Sequence, residues 1–204
     1  MIKNIIFDVG NVFVQWSPHE IVERSYQLAQ GSDENLSKAD TLFRNALWKG
    51  LNRGEMTMAE AQRAYRDQFA LSEEEAERLF FHILDSLDVI EGTEALAQRL
   101  KAAGYRIFAL TDNVHEIVAY LKNRHTFWPL FEAATISAEL GLLKPEAAIY
   151  RHALDTHGLV GDETVFFDDI QANVDGAIAA GMHAKVFTTA NRCEADLREL
   201  GVSV

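Results

Sequence analysis

A single cysteine, Cys193, in 204 residues rules out an internal disulfide and points to a reducing compartment. Only three prolines interrupt the chain, and neither an internal repeat nor a low-complexity segment is present, which excludes a fibrous or linker-rich protein. Long apolar runs are also missing: no stretch approaches the ~20 residues that a membrane span needs. The first apolar run is short and carries Asp8 in its middle, unlike a secretory signal. Positive charge is scarce, with 19 Lys and Arg against 31 Asp and Glu and a net charge of −12. A nucleic-acid surface needs a basic patch to neutralise phosphates, so that partner is excluded, whereas a small anion at a local site is not. The expectation is a cytoplasmic globular protein, 48% hydrophobic and long enough to bury a sizeable core, without membrane or nucleic-acid partners.

What is present is organised around Ile5-Ile6-Phe7-Asp8-Val9-Gly10-Asn11-Val12. An unbroken apolar run suits a strand buried on both faces, as in a parallel sheet covered by helices. A carboxylate at its end lies where open α/β sheets place ligands. Gly10 is expected to supply the unusual backbone angles of a tight turn beside that carboxylate. Ser17-Pro18-His19-Glu20, Thr57-Met58-Ala59-Glu60 and Ser72-Glu73-Glu74-Glu75 read as successive helix starts, each with a cap residue and a Glu three positions on. The last opens a helix whose Leu79, Phe80, Phe81, Ile83 and Leu84 recur at helical spacing, as bundle core. Residues 16–87 therefore read as an all-helical insert, too long for a loop and so a small subdomain, set into an α/β core of residues 1–15 and 88–204.

Beyond Glu91 the pattern alternates. A helix from Thr93 ends near Gly104, and a strand from Tyr105 delivers Thr111-Asp112-Asn113. Asn113 and Glu116 are expected to cap a helix to Arg124, and a short strand follows near Ala133–Ile136. Lys144-Pro145 should open a helix to Gly158. Thr164–Phe167 forms a strand ending on Asp168-Asp169, a helix from about Ala172 stops at Gly181, and His183–Phe187 is the last strand. The fold class is α/β, a doubly wound, Rossmann-like parallel sheet.

Parallel strands all point one way, so Asp8, Thr111-Asp112-Asn113 and Asp168-Asp169 converge on one edge, which Lys144 reaches from a loop. Alone, Thr111 reads as a cap hydroxyl and Lys144 as a surface lysine; the meaning lies in the set and its order. Several carboxylates share a small volume only if cations offset their repulsion. Lys144 supplies one charge, and all-oxygen ligands suit Mg²⁺ better than zinc. An Asp beside a metal and a Lys is a plausible nucleophile towards phosphorus.

This ordered set resembles the haloacid dehalogenase superfamily, a large family of mostly Mg²⁺-dependent phosphatases. Its four motifs look like F-D-V-G-N-V around Asp8, A-L-T-D-N with Thr111, G-L-L-K-P-E-A-A-I-Y with Lys144, and F-F-D-D-I-Q-A-N-V-D-G-A with Asp168-Asp169. The first motif's form, with L-N-R-G-E-M-T in the cap, is most similar to the branch that holds α-D-glucose-1-phosphate phosphatases. The resemblance implies Asp8 as nucleophile and, with the Gly10 carbonyl and Asp169, as metal ligand, Asp168 being a weaker partner. It implies that Thr111 and nearby N–H groups hold phosphate, with Lys144 neutralising charge. Asn11, Asp112, Trp16 and Arg44 are further substrate-contact candidates, and Asn45 and Trp48 are cap residues of interest. The expected substrate is a small phosphorylated metabolite such as glucose 1-phosphate.

One departure stands out. Most phosphatases of this family carry a second Asp two residues after the nucleophile, where this chain has Gly10. Either another group transfers the proton or the leaving oxygen needs little help, and a sugar 1-phosphate fits the second option. A metal-free 2-haloacid dehalogenase also lacks the second Asp, and a non-catalytic phospholigand-binding protein is the third reading.

Overall fold

The computed structural model describes residues 1–29 and 31–204, and every count below refers to these described residues. A first strand, β1 (Asn4–Phe7), is followed by five helices: α1 (Pro18–Tyr26), α2 (Asp33–Phe43), α3 (Ala46–Asn52), α4 (Met58–Phe69) and α5 (Glu73–Asp85). Alternation then sets in with α6 (Thr93–Ala102), β2 (Arg106–Thr111), α7 (His115–Arg124), β3 (Ala133–Ile136), α8 (Ser137–Leu140) and α9 (Ala147–His157). The chain ends on β4 (Thr164–Asp168), α10 (Gln171–Ala179), β5 (His183–Val186) and α11 (Ala190–Glu199). None of these helices is long and apolar enough to cross a membrane.

The strands form one parallel sheet in the order β3-β2-β1-β4-β5, with β1 at its centre. Side chains alternate across it, which divides the apolar run between two cores. Ile5, Phe7, Ile107, Ala109, Val165 and Phe167 pack on one face, and Ile6, Phe108, Leu110 and Phe166 pack with Tyr150 and Met182 on the other. An apolar strand buried on both faces is the outcome that the unbroken run predicts.

Register sets the site. Phe7 pairs with Ala109 on one side and Phe167 on the other, so the next residues, Asp8, Leu110 and Asp168, lie in one row across three strands. The Asp8 N–H continues the ladder to the Phe167 carbonyl at 2.9 Å. Beyond Asp8 the Val9 carbonyl accepts from the N–H groups of Val12, Phe13 and Val14, closing a tight turn. The left-handed residue in that turn is Asn11 (φ 53°), not Gly10 as the sequence suggested. Asn tolerates this region because its short side chain hydrogen-bonds locally, and here it accepts from the Trp16 N–H at 2.9 Å.

The way into and out of the five-helix segment is double-stranded. Gln15 N–H donates to Asp88 O and Ile90 N–H to Phe13 O, both at 2.8 Å. Of the expected helix starts, Thr57–Glu60 and Ser72–Glu75 form reciprocal capping boxes. Ser17 caps Glu20 N–H, but Glu20 turns to Arg24 and leaves the box half-made. Phe80, Leu79 and Ile83 are buried as expected, whereas Phe81 is 59% exposed because it falls off the apolar stripe.

Two further expectations fail locally. The Asn113 side chain accepts from the adjacent Val114 N–H, and α7 begins at His115 without a side-chain cap. Glu116 instead accepts from Met58 N–H at 2.9 Å, so it caps the start of α4 across the fold. The helix after Lys144 begins at Ala147, behind an extended Glu146, rather than at Pro145.

Candidate active site

At the end of the central strand, Asp8 is 7% exposed and held through a single oxygen. The Val9 N–H donates to its Oδ1 at 2.7 Å, and the Lys144 ammonium meets the same oxygen at 2.9 Å. Among the described residues no partner is bound to Oδ2. Lys144 is not a surface lysine: its side chain is 1% exposed, and Nζ also donates to Asp168 Oδ2 at 2.7 Å and to the Leu110 carbonyl at 3.3 Å. One ammonium thus ties together the three strand ends that the register places in a row.

Asp168, fully buried, has both oxygens engaged. Oδ1 accepts from Ile170 N–H at 2.8 Å and Asn173 Nδ2 at 2.9 Å, and Oδ2 from Lys144 and, at 3.1 Å, the same amide. Asp169 is half-buried, and its one side-chain partner is Asn11 Nδ2 at 2.9 Å from Oδ2. Asn11 therefore bridges Asp169 to the chain that leads into α1. Asp112 braces the other side, with both of its oxygens accepting from the Lys144 backbone N–H at 3.1 and 3.2 Å.

The cluster is short of positive charge. Burial pushes Asp8 up to about 7, Lys144 pulling against this and Asp168 adding to it. Burial likewise raises Asp112 and Asp169. Burial alone would lower Lys144, but Asp8, Asp168 and Asp112 hold it well above its ordinary value, so it stays charged. Oxygens of Asp8, Asp168 and Asp169 lie within 4.8 Å of one another, a spacing at which one divalent cation can bind several carboxylates.

A cavity of about 540 Å³ opens over these groups, and Asp8, Gly10, Thr111, Lys144 and Asp169 lie at its polar end. Trp16, Arg44 and Trp48 line it as well. Asn45 does not; it caps α3 through Trp48 N–H at 2.9 Å. Other wall residues carried no signal in the sequence, since Val14, Leu87, Ile117 and Leu143 are ordinary apolar positions until the fold brings them together. Asn173 was equally silent, although an amide five residues after an acid on the next helix turn is in reach of it. Of the N–H groups expected at the anion end, that of Asn113 is taken by the Ser137 hydroxyl at 2.8 Å.

The chain is similar to known proteins in sequence and in fold. A sesquiterpene phosphatase of Aspergillus oryzae is 27% identical over 198 residues, covering 97% of this chain and 96% of the relative. A haloacid dehalogenase family enzyme of Bacteroides thetaiotaomicron, solved with magnesium and inorganic phosphate, superimposes with a TM-score of 0.76 at 18% identity, covering 93% and 96% of the two chains. L-2-haloacid dehalogenase of Xanthobacter autotrophicus, solved with chloropropionic acid covalently bound, superimposes with a TM-score of 0.68 at 13% identity, covering 100% and 85%. At such identities the two structures show a shared fold. The family model for haloacid dehalogenase-like hydrolases matches residues 2–181, which take in β1 to β4 and α1 to α10, and the chain belongs to that family.

Proposed function

We propose that the protein is a Mg²⁺-dependent phosphatase that cleaves phosphate monoesters through an aspartyl-phosphate on Asp8. The observation that carries this reading is the Asp8 carboxylate, fixed through Oδ1 by Lys144 and Val9, with Oδ2 unpartnered beside a second open acid, Asp169. The donor set fits Mg²⁺: oxygens only, three carboxylates within 4.8 Å, and one ammonium to balance them. Asp8, Asp169 and the Gly10 carbonyl, which accepts no backbone hydrogen bond among the described residues, would hold the ion. Asp168 is spent on Lys144 and Asn173 and would border it. Bound there, Mg²⁺ would neutralise charge shared by carboxylate and phosphate.

The chain's own residues then account for the steps. An Asp8 carboxylate oxygen attacks phosphorus, the P–O bond to the alcohol breaks with its oxygen taking a proton from solvent, and the phosphoryl group rests on Asp8. Water attacks the same phosphorus, gives up a proton to solvent, frees Asp8 and releases inorganic phosphate. Thr111 and the always-charged Lys144 hold the phosphoryl oxygens, which concentrates stabilisation where charge develops. Asp112 and Asp168 position Lys144, one through its backbone and one through its ammonium. The helices within residues 16–87 act as a cap over the cavity, joined to the sheet domain through the paired segments near Gln15 and Asp88.

Similarity to a phosphatase over nearly its full length supports phosphorus over carbon as the point of attack. A metal-free dehalogenase would have to protonate or separate the acid cluster that the structure draws together. Glucose 1-phosphate, suggested by the first motif, gains support from the missing acid at Gly10, since an anomeric oxygen leaves readily; the cavity wall supports it less. The test is phosphate release from p-nitrophenyl phosphate with Mg²⁺ and with EDTA, beside halide release from 2-chloropropionate. Mg²⁺-dependent phosphate release without halide release is expected. Halide release in EDTA would favour the dehalogenase, and activity towards neither would favour a binding protein.

A further inference from the structure

We propose that the alcohol part of the substrate is a hydrocarbon-rich group, seated against a stacked tryptophan pair, rather than a sugar or polyol. This rests on the phosphatase reading and names its substrate class. Around the groups at Asp8 and Lys144, the cavity wall is mainly apolar, with Val14, Trp16, Trp48, Leu87, Ile117 and Leu143; Arg44, Lys49 and Asn52 line it too. The Trp16 and Trp48 rings lie 5.3 Å apart and within 9° of parallel, and Phe43, also at the cavity, meets each edge-on at 5.7 and 5.1 Å. Phe43 is 6% exposed and buttresses the pair, whereas both tryptophans are half-buried and keep surface on the cavity. A braced aromatic wall offers apolar area at little entropic cost to the protein.

Most polar groups of the wall are partly engaged, the exposed Lys49 being an exception among the described residues. Asn52 donates to the Trp48 carbonyl at 2.8 Å, the Asn113 side-chain oxygen accepts from Val114 N–H at 2.9 Å, and Asn173 serves Asp168. Both Asp112 oxygens face the Lys144 N–H, and Arg44 pairs with Asp40 at 3.2 Å. A sugar seated here would bury several hydroxyls with few partners, and each unpaired hydroxyl weakens binding. A hydrocarbon loses nothing by the exchange and gains the area it buries. The volume of about 540 Å³ lies within the range of pockets that enclose an organic ligand. Gly10 fits the same reading: a side chain there would meet the Trp16 Cβ at 3.7 Å, so its absence leaves space between the nucleophile and the aromatic wall.

The test compares primary alkyl phosphates from ethyl to decyl with glycerol 1-phosphate and glucose 6-phosphate, with acetyl phosphate as a small, activated control. The long-chain alcohols are poorer leaving groups than the polyols, so any preference for them reports binding. The expected result is a kcat/KM that rises at least tenfold from ethyl to decyl phosphate and exceeds that of both polyol phosphates. In Trp48→Ala the decyl-to-ethyl ratio should fall about tenfold, and Trp48→Phe should restore part of it. Binding of decyl phosphate to Asp8→Asn protein, read by tryptophan fluorescence, should outcompete glucose 6-phosphate. Turnover of acetyl phosphate with no chain-length dependence, or with polyols preferred, would overturn the proposal and leave the phosphatase reading standing. Failure to hydrolyse any of these compounds, acetyl phosphate included, would overturn both.

Discussion

The residue that decides the chemistry is Asp8, and its neighbours fall into those that hold it and those that leave it open. Asp168 belongs to the first kind and Asp169 to the second, so the two variants should fail differently. Asp168→Ala strips a fully buried partner from a lysine side chain that is 1% exposed, and should cost about 3–5 kcal/mol in chemical denaturation. Asp169→Ala should leave stability nearly unchanged but weaken Mg²⁺ activation at least tenfold, measured as the metal concentration for half-maximal rate. The reverse pattern would exchange their roles. Gly10 raises the other residue-scale question. Its φ is not left-handed and an added Cβ meets only Trp16, at 3.7 Å, so Gly10→Asp should fold. General acid help is typically worth ~10²–10⁴ in rate, and its absence should make wild-type kcat/KM steep in leaving-group acidity across substituted phenyl phosphates. The variant should flatten that slope; a flat wild type would mean that another group already donates the proton.

At the scale of elements, the turn from α3 to α4 is where the helical segment is clasped to the sheet domain. The Ser137 hydroxyl donates to the Asn52 carbonyl at 2.7 Å, Arg53 reaches the Gly141 carbonyl at 2.6 Å and the Glu146 carboxylate, and Glu116 caps α4. Gly54 sits within the clasp at φ 71°, where an added Cβ would lie 2.3 Å from the Ala138 carbonyl oxygen. Both backbone angle and space demand glycine, so Gly54→Ala should cost about 1–3 kcal/mol and raise KM more than it lowers kcat, as the wall over the cavity loosens. Denaturant melts and steady-state kinetics check the two halves. The same region shows what sequence could not carry. Capping boxes at Thr57 and Ser72 are local and were legible, but Glu116 capping a helix 58 residues away is a tertiary contact that local spacing at Asn113 actively disguised. Helix α11 left no reading either: mostly polar, it is anchored by Cys193 and Leu197, a stripe too narrow to stand out.

For the whole molecule, one sheet edge gathers groups separated by most of the chain, which is why strand-end acids were legible from order alone. Parallel strands fix direction, and an unbroken apolar run ending in Asp leaves little choice of place for Asp8 or Asp168. The cavity wall was not legible, because Val14, Leu87, Ile117 and Leu143 come from four separate segments and are indistinguishable from core in one dimension. The same global burial protects Cys193, 1% exposed, whose thiol burial pushes well above its ordinary value. It should react with a thiol reagent only as fast as the chain unfolds, at least a hundredfold slower than in denaturant. Three strand ends meet at the Lys144 ammonium beside Asp8, and rapid acid quench during turnover of p-nitrophenyl phosphate with Mg²⁺, followed by peptide mass spectrometry, tests most directly whether Asp8 takes the phosphoryl group. A phosphoryl adduct is expected on the peptide carrying Asp8, absent in EDTA and in Asp8→Asn; an adduct on another residue, or undiminished turnover by Asp8→Asn, would contradict that role.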